Sequence, residues 1–578
     1  MSRSVAAAVL ILAAACGPAE PSSDAAAQIN SIADRYVAEW VQAFPHDASV
    51  TGVASAPYDR LMDVSPAAYA HWHGIEDSLL VALEAVDTST LPDTSAAWVT
   101  RGFLDTVLRN AIDWRVCRME LWNVSPTWTG PLSVLASLAE IQPVATPEQR
   151  EAAAQRYADT PRYFAQEIAN LREGARLGFT MPRHNVEAVI RMADALLAAP
   201  VAESPFVVMA KADVPEFRSR MEAVELDAIR PAITAYRDYL RDEYLPLART
   251  AIGVSANPKG DACYAAAVKY HATVDMSAQE VHQVGLDQMA IIRAEMEAIA
   301  QRLFGTTDVA SALGRLRNEP PYQMGSREAL LQTARDAVAR AKAAVPQWFG
   351  LLPKSDVIVQ PVPAFSEASA PGAFYTNPAE DGSRPGTYSL NLRGAETTPR
   401  AGVEATAFHE ALPGHHLQSA LALERTSLHP VSRYIFLSGF GEGWALYTER
   451  LADEMGLYSG DVDRMGLLSN EALRAARLVV DAGMHGLGWT REQAIQYMLD
   501  NTAESRQSVT AEVDRYIAVP AQATAYMLGN LEIRRLRALA EAAQGSGFDI
   551  KAFHDRVLED GSVPLSMLRA KIERWIAN

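Results

Sequence analysis

Three of the chain's 12 histidines, His409, His415 and His416, fall within eight residues, and Glu410 stands beside the first. Imidazoles next to a carboxylate are the parts of a hydrolytic metal site. Neutral ring nitrogens bind a divalent ion, and the glutamate takes a proton from water. In the HExxH spacing, two histidines four apart share one helix face. Here the run is Phe408-His409-Glu410-Ala411-Leu412-Pro413-Gly414-His415-His416-Leu417-Gln418. On a regular helix His415 would lie about 240° round and ~9 Å along from His409, and His416 ~10.5 Å away. Pro413 has no N–H to give the His409 carbonyl, and Gly414 permits an unusual backbone angle. The expectation is a local bulge that absorbs two residues and brings His415 to the i+4 place. His416 is the alternative second histidine and needs three residues absorbed.

A third ligand is expected from Gly441-Glu442-Gly443-Trp444-Ala445-Leu446-Tyr447-Thr448-Glu449, whose carboxylates follow His415 by 27 and 34 residues. Seven apart, they lie on a similar face of one helix. Glu442 is the expected ligand, and Glu449 the residue that orients a ligand histidine or a substrate group. Two imidazoles and one carboxylate favour zinc, one Zn²⁺ per chain, with an open position for an acidified water.

The elements that must position these groups read as helices nearly everywhere. Ile32, Tyr36 and Trp40, with Val37, make a helical stripe. Thr146-Pro147 with Gln149 is a capped helix start. Thr398-Pro399 is expected to open the helix that carries His409. The exception spans residues 356–392. Val357-Ile358-Val359 is a short β-branched run, 361–377 is loop-like, and 387–392 alternates like a strand. A small sheet thus precedes the histidine run, and in several metallopeptidase folds such an edge strand holds an extended substrate. Arg384, Tyr388 and Arg393 flank it as candidates for binding a peptide carboxylate.

Arg3, the apolar run from Val5 to Ala15 and the small residues before Cys16 read as an export signal of the lipoprotein type. The expectation is a signal peptide over 1–15, a flexible tether over 16–28, an N-terminal helical part over 29–345 and a catalytic part over 346–578. The last two form one compact unit. Cys16 would carry the lipid, placing the protein in the periplasm, touching the membrane only through that anchor. Beyond the first 16 residues no apolar run reaches the ~18–20 needed to span a bilayer. Seventy acidic against 52 basic residues give a net charge of −18, which repels phosphate backbones and argues against a nucleic-acid partner. Hydrophobic residues at 49% and charged residues at 21% exclude disorder. Three cysteines are too few for a disulfide scaffold, leaving Cys117 and Cys263 either paired or free.

The histidine run and the Gly-Glu-Gly-Trp-Ala-x-Tyr-x-Glu run resemble the bacterial family catalogued as domain of unknown function 885. Asp381-Gly382-Ser383-Arg384-Pro385-Gly386-Thr387-Tyr388 also fits, as do Val480-Asp481-Ala482-Gly483-Met484-His485 with Trp489, and Pro520-Ala521-Gln522-Ala523 with Tyr526 and Gly529. The resemblance spans most of the chain. That family is in turn similar to the thimet oligopeptidase and Taq-type carboxypeptidase groups, largely helical zinc peptidases with a deep channel. The chain departs from their unbroken HExxH by its Pro-Gly insertion. The resemblance implies a large, mostly α, metallopeptidase-like fold with a channel and a small β-sheet next to the active-site helix. It implies a secreted zinc-dependent hydrolase of peptides or small amides, with Glu410 as general base and Tyr526 and His485 as candidate oxyanion donors. Asp481 and His485, four apart, can equally be a helix-surface pair. A metalloenzyme acting on a non-peptide metabolite and a non-catalytic binding or assembly lipoprotein are the alternatives. The second has no need of Glu410.

Overall fold

The computed structural model describes residues 24–577 except 90, 211–213, 363–366, 368–370 and 379–384. The export signal, Cys16 and Arg384 lie outside the described residues. Helix α1 spans Asp24–Ala43, so the last five residues expected as tether are helical instead. Alanine is the best helix former, and the Gln28 amide donates to the Asp24 carboxylate at 2.9 Å in the first turn.

Helices dominate, and the Thr146 capping box forms as its residues require. Two long helices, α2 (Ala278–Phe304) and α3 (Asp461–Gly486), lie together as the central pair. A Cβ on Gly285 would stand 2.7 Å from the Val479 side chain, so only glycine lets these helices approach this closely. Neither of the two apolar cores respects residue 345 as a boundary. One joins residues between Leu61 and Leu316 to residues between Leu446 and Leu528. The other joins the first helices to residues between Leu330 and Ile572. Each core therefore draws on residues from both sides of that position. Cys117 and Cys263, both buried, are joined by a disulfide within the first core.

The sheet has the order β1–β3–β2, with β1 (Val357–Pro361) parallel and β2 (Ala373–Thr376) antiparallel to the central β3 (Gly386–Leu390). Strand β2 arises inside the stretch read as loop, because Phe374, Tyr375 and Thr376 suit a pleated edge. The histidine helix also begins later than expected. Pro399 pairs with Gln323 in a β-bridge, and α4 runs only from Val403 to Glu410. No helix among the described residues is long and apolar enough to cross a membrane.

Candidate metal centre

Between α4 and α5 (His415–Glu424) four residues leave the helical path altogether, so the expected bulge is a full break. The Leu412–Pro413 peptide is cis. Gly414 donates its N–H to Phe408 O at 3.0 Å, and His416 donates to Ala411 O at 3.1 Å, which turns the chain back on itself. A Cβ on Gly414 would stand 1.9 Å from the His409 carbonyl oxygen, so this return requires glycine. Helix α6 (Ser438–Glu454) backs the turn through Trp444, fully buried, whose Nε1 donates to Pro413 O at 3.1 Å. Against it lies α7 (Ala525–Gln544). Gly443 and Gly529 set this contact, since a Cβ on either would meet the other helix's backbone within 2.6 Å.

The break brings together three of the expected ligand atoms. His409 Nε2 stands 3.6 Å, and His415 Nε2 3.4 Å, from Glu442 Oε2. The two rings are perpendicular, with centroids 4.8 Å apart. Donors bonded to zinc at 2.0–2.2 Å in a tetrahedron stand about 3.3–3.6 Å apart, and both histidine–glutamate separations fall in that range. Seven residues along α6, Glu449 Oε1 accepts from His409 Nδ1 at 2.9 Å. That bond puts a proton on Nδ1 and directs Nε2 at Glu442, so Nε2 is the nitrogen a metal would take in exchange for a proton, the arrangement of carboxylate-oriented metal histidines. His409 and Glu449 are buried, whereas the His415 and Glu442 side chains keep 12% and 15% exposure and form the open side.

The electrostatics follow from this packing. Burial opposes a charge on His409, but the Glu442 and Glu449 carboxylates outweigh it and hold the imidazole up at about 9. Burial also opposes ionisation of Glu442, and His415 and His409 overcome it, holding the carboxyl well below its usual range. The site keeps a negative centre between two imidazoles, which a divalent cation would neutralise.

The remaining expected residues divide. Glu410 ends α4 half-buried, and its charge reaches both His409 and Tyr388. Tyr526, at the start of α7, lies within electrostatic range of Glu442, with the Arg477 guanidinium 4.4 Å over its ring. His416 is not a third imidazole of this cluster. Its Nε2–H donates to Ser355 O at 3.0 Å and its Nδ1 accepts from the Tyr375 hydroxyl at 3.0 Å, tying α5 to the sheet. His485 has no nitrogen to offer an oxyanion. Nδ1 accepts from Val254 N–H at 2.9 Å and Nε2 donates to Tyr516 O at 3.0 Å, and burial lowers its pKa to about 4. Tyr388 is on the central strand and fully buried, not at an edge, because β2 covers that side of β3. Arg393 is exposed past the end of β3, with Glu367 as a charged neighbour.

Asp481 is not a surface group either. Its Oδ1 accepts from the Tyr264 hydroxyl at 2.8 Å and from Ala521 N–H at 3.0 Å. Ala521 stands at φ 65°, and this bond anchors the turn leading into Tyr526. Sequence reasoning missed Arg474, whose Nη2 lies 3.7 Å from Glu449 Oε1, and Arg477. Both come from α3, and no local motif marks them.

The model of the family described as bacterial protein of unknown function (DUF885) matches residues 45–572. The chain belongs to the DUF885 family. Its fold is shared with a crystal structure described as a "putative lipoprotein from Colwellia psychrerythraea". That protein is 28% identical, with 96% of this chain and 99% of that one covered and a TM-score of 0.89. A second structure, of a "putative lipoprotein of unknown function" from Shewanella oneidensis, is 19% identical, covers 94% and 99%, and has a TM-score of 0.73. No curated protein matches the sequence. In this chain the two glutamates of α6 stand on opposite nitrogens of His409.

Proposed function

We propose that this DUF885 chain is an exported zinc-dependent hydrolase that cleaves peptides or small amides. The observation that carries the reading is the convergence of His409, His415 and Glu442, whose ligand atoms all lie within 4.8 Å of one another. The Glu449 bond that fixes the His409 tautomer supports it. Zinc bound there supplies an acidified water and a Lewis acid for the scissile carbonyl. Glu410, next in sequence to His409, takes the proton of the attacking water and returns it to the leaving nitrogen. Tyr526 donates to the oxyanion from the Glu442 side. Burial and the Glu442 charge raise the Tyr526 pKa, and the Arg477 guanidinium over its ring offsets part of that, keeping the hydroxyl protonated and able to donate. Strand β2 is a sheet edge packed near α4, suited to aligning an extended peptide by strand addition. The description of the Colwellia structure as a putative lipoprotein supports an anchor at Cys16, and a periplasmic location goes with that reading.

The experiment is elemental analysis of the purified protein followed by incubation with a complex peptide mixture, with products read by mass spectrometry. The reading expects near one zinc per chain and peptide cleavage abolished by a chelator and restored by zinc. Zinc with no peptide or amide turnover would favour a non-peptide substrate. No zinc in a folded, metal-replete protein would favour a binding lipoprotein.

A further inference from the structure

Beside the metal centre lies a cavity of about 170 Å³. Its walls include Tyr36, Trp40, Phe44, Trp72, Tyr270 and Phe436. The rings are set by their own packing, with Phe44 edge-on to Trp72 at 5.0 Å and Tyr36 tilted on it at 5.8 Å. Two observations join the cavity to the site. Phe436 lines it and also stands 6.5 Å from the His415 ring, with 54% of its surface exposed. Ser438 lines it too, and Glu442 is four residues further along α6, one turn away on the same helix face.

We infer that this cavity is the side-chain subsite for an aromatic residue flanking the bond to be cleaved. The inference rests on the peptidase reading for its substrate, not for the cavity. A cavity of about 150 Å³ holds a benzene ring, so one aromatic side chain fits where an indole is tight. Edge-to-face contacts with the wall rings then add to the burial of apolar surface. The two carboxylates on the wall already have partners, Glu76 in Arg115 at 2.7 Å and Asp47 in the His46 imidazole at 3.0 Å. Glu76 is thereby paired with a cation, and the aromatic wall residues outnumber the charged groups. His271 lines the same cavity and adds a further ring to its wall.

The test uses the zinc-loaded full chain carrying Glu410→Gln, titrated by calorimetry with peptides that differ only by Tyr, Lys or Ala at one position, scanned along the peptide. At one position the tyrosine peptide is expected to bind at least ten-fold tighter than its alanine counterpart, and the lysine peptide no tighter than alanine. Adding Ala111→Phe, which fills the cavity from its wall, is expected to bring the ratio near one. Phe436→Ala, which opens the wall instead, is expected to do the same. Zinc content and thermal unfolding confirm that each variant is folded. Equal affinities at every position, no binding, a preference for lysine, or a tyrosine preference that survives both variants would overturn the inference. Cleavage by the wild-type chain decides the peptidase reading separately: preference without cleavage removes only that reading, and cleavage without preference removes only the subsite.

Discussion

His415 turns its Nε2 to the Glu442 carboxylate at 3.4 Å, whereas His416, one residue on, has both ring nitrogens occupied by Tyr375 and the Ser355 carbonyl. The chemistry of the two rings is identical, and so is their helix. What differs is the surface each meets. One looks across the break toward α6, where a carboxylate waits between two imidazoles. The other looks at the sheet, where Gly386 leaves room for the ring, since a Cβ there would stand 2.4 Å from His416 Nδ1. A histidine that turns a ring nitrogen to a carboxylate shared with a second imidazole, as His415 and His409 do, is a candidate ligand. A histidine with both nitrogens held by neutral partners is a strut. His485 and His554 belong with His416: His554 donates to the Trp348 carbonyl and accepts from Tyr447, and burial lowers its pKa to about 3.

The largest effect that could break this contrast comes from paired substitutions. His415→Ala is expected to lose the zinc and more than 10³-fold of any hydrolytic activity, while His416→Ala keeps near one zinc per chain by elemental analysis. The reverse result would exchange ligand and strut. Next comes Glu410→Gln, expected to retain zinc and lower kcat about 10²–10⁴-fold, the usual contribution of a general base. Unchanged turnover with zinc bound would remove Glu410 from the mechanism. Glu449→Gln sharpens the ligand side, with zinc affinity expected to fall about 10–100-fold in a competition titration while the fold persists. On the strut side, His416→Ala is expected to cost about 2–3 kcal/mol in denaturant unfolding, because the Tyr375 hydroxyl and Ser355 carbonyl lose a partner.

A further effect, read against pH, extends the contrast to carboxyls. Glu442, between two imidazoles, is held well below the usual range, whereas burial pushes Asp481 up to about 7 against its hydrogen bonds from Tyr264 and Ala521. A carboxyl whose folded pKa stands above its unfolded value favours the fold most when protonated. Its contribution is full below about pH 4 and is lost as the pH rises through 7. Asp481→Asn keeps the same acceptor geometry without the titration. Its unfolding free energy, compared with that of the wild-type chain from pH 4 to 8, should fall less over that window. Parallel curves would show that Asp481 does not titrate there.

The candidate ligand residues were legible where spacing along one helix fixes them. Glu442 and Glu449 are seven apart on α6, and any regular helix puts them on one face. Pro413 and Gly414 announced that the histidine helix could not continue, and the capping box at Thr146 announced its own helix start. Strand β2 escaped notice because four partly buried residues carry too little alternation to stand out from a loop. Tyr388 was legible as an interesting residue but not as a buried one, since burial depends on the elements that cover it.

The sequence by itself determined which side chains could bind a metal, where the helix must break and that most of the chain is helical, because these follow from residue type and local period. Only the tertiary structure decided between His415 and His416, turned Asp481 and His485 into core residues, and brought Arg474 of α3 to Glu449 of α6. Those outcomes are set by which surfaces meet across hundreds of residues of chain. No local pattern encodes that choice, because each ring could satisfy its nitrogens equally well against either surface.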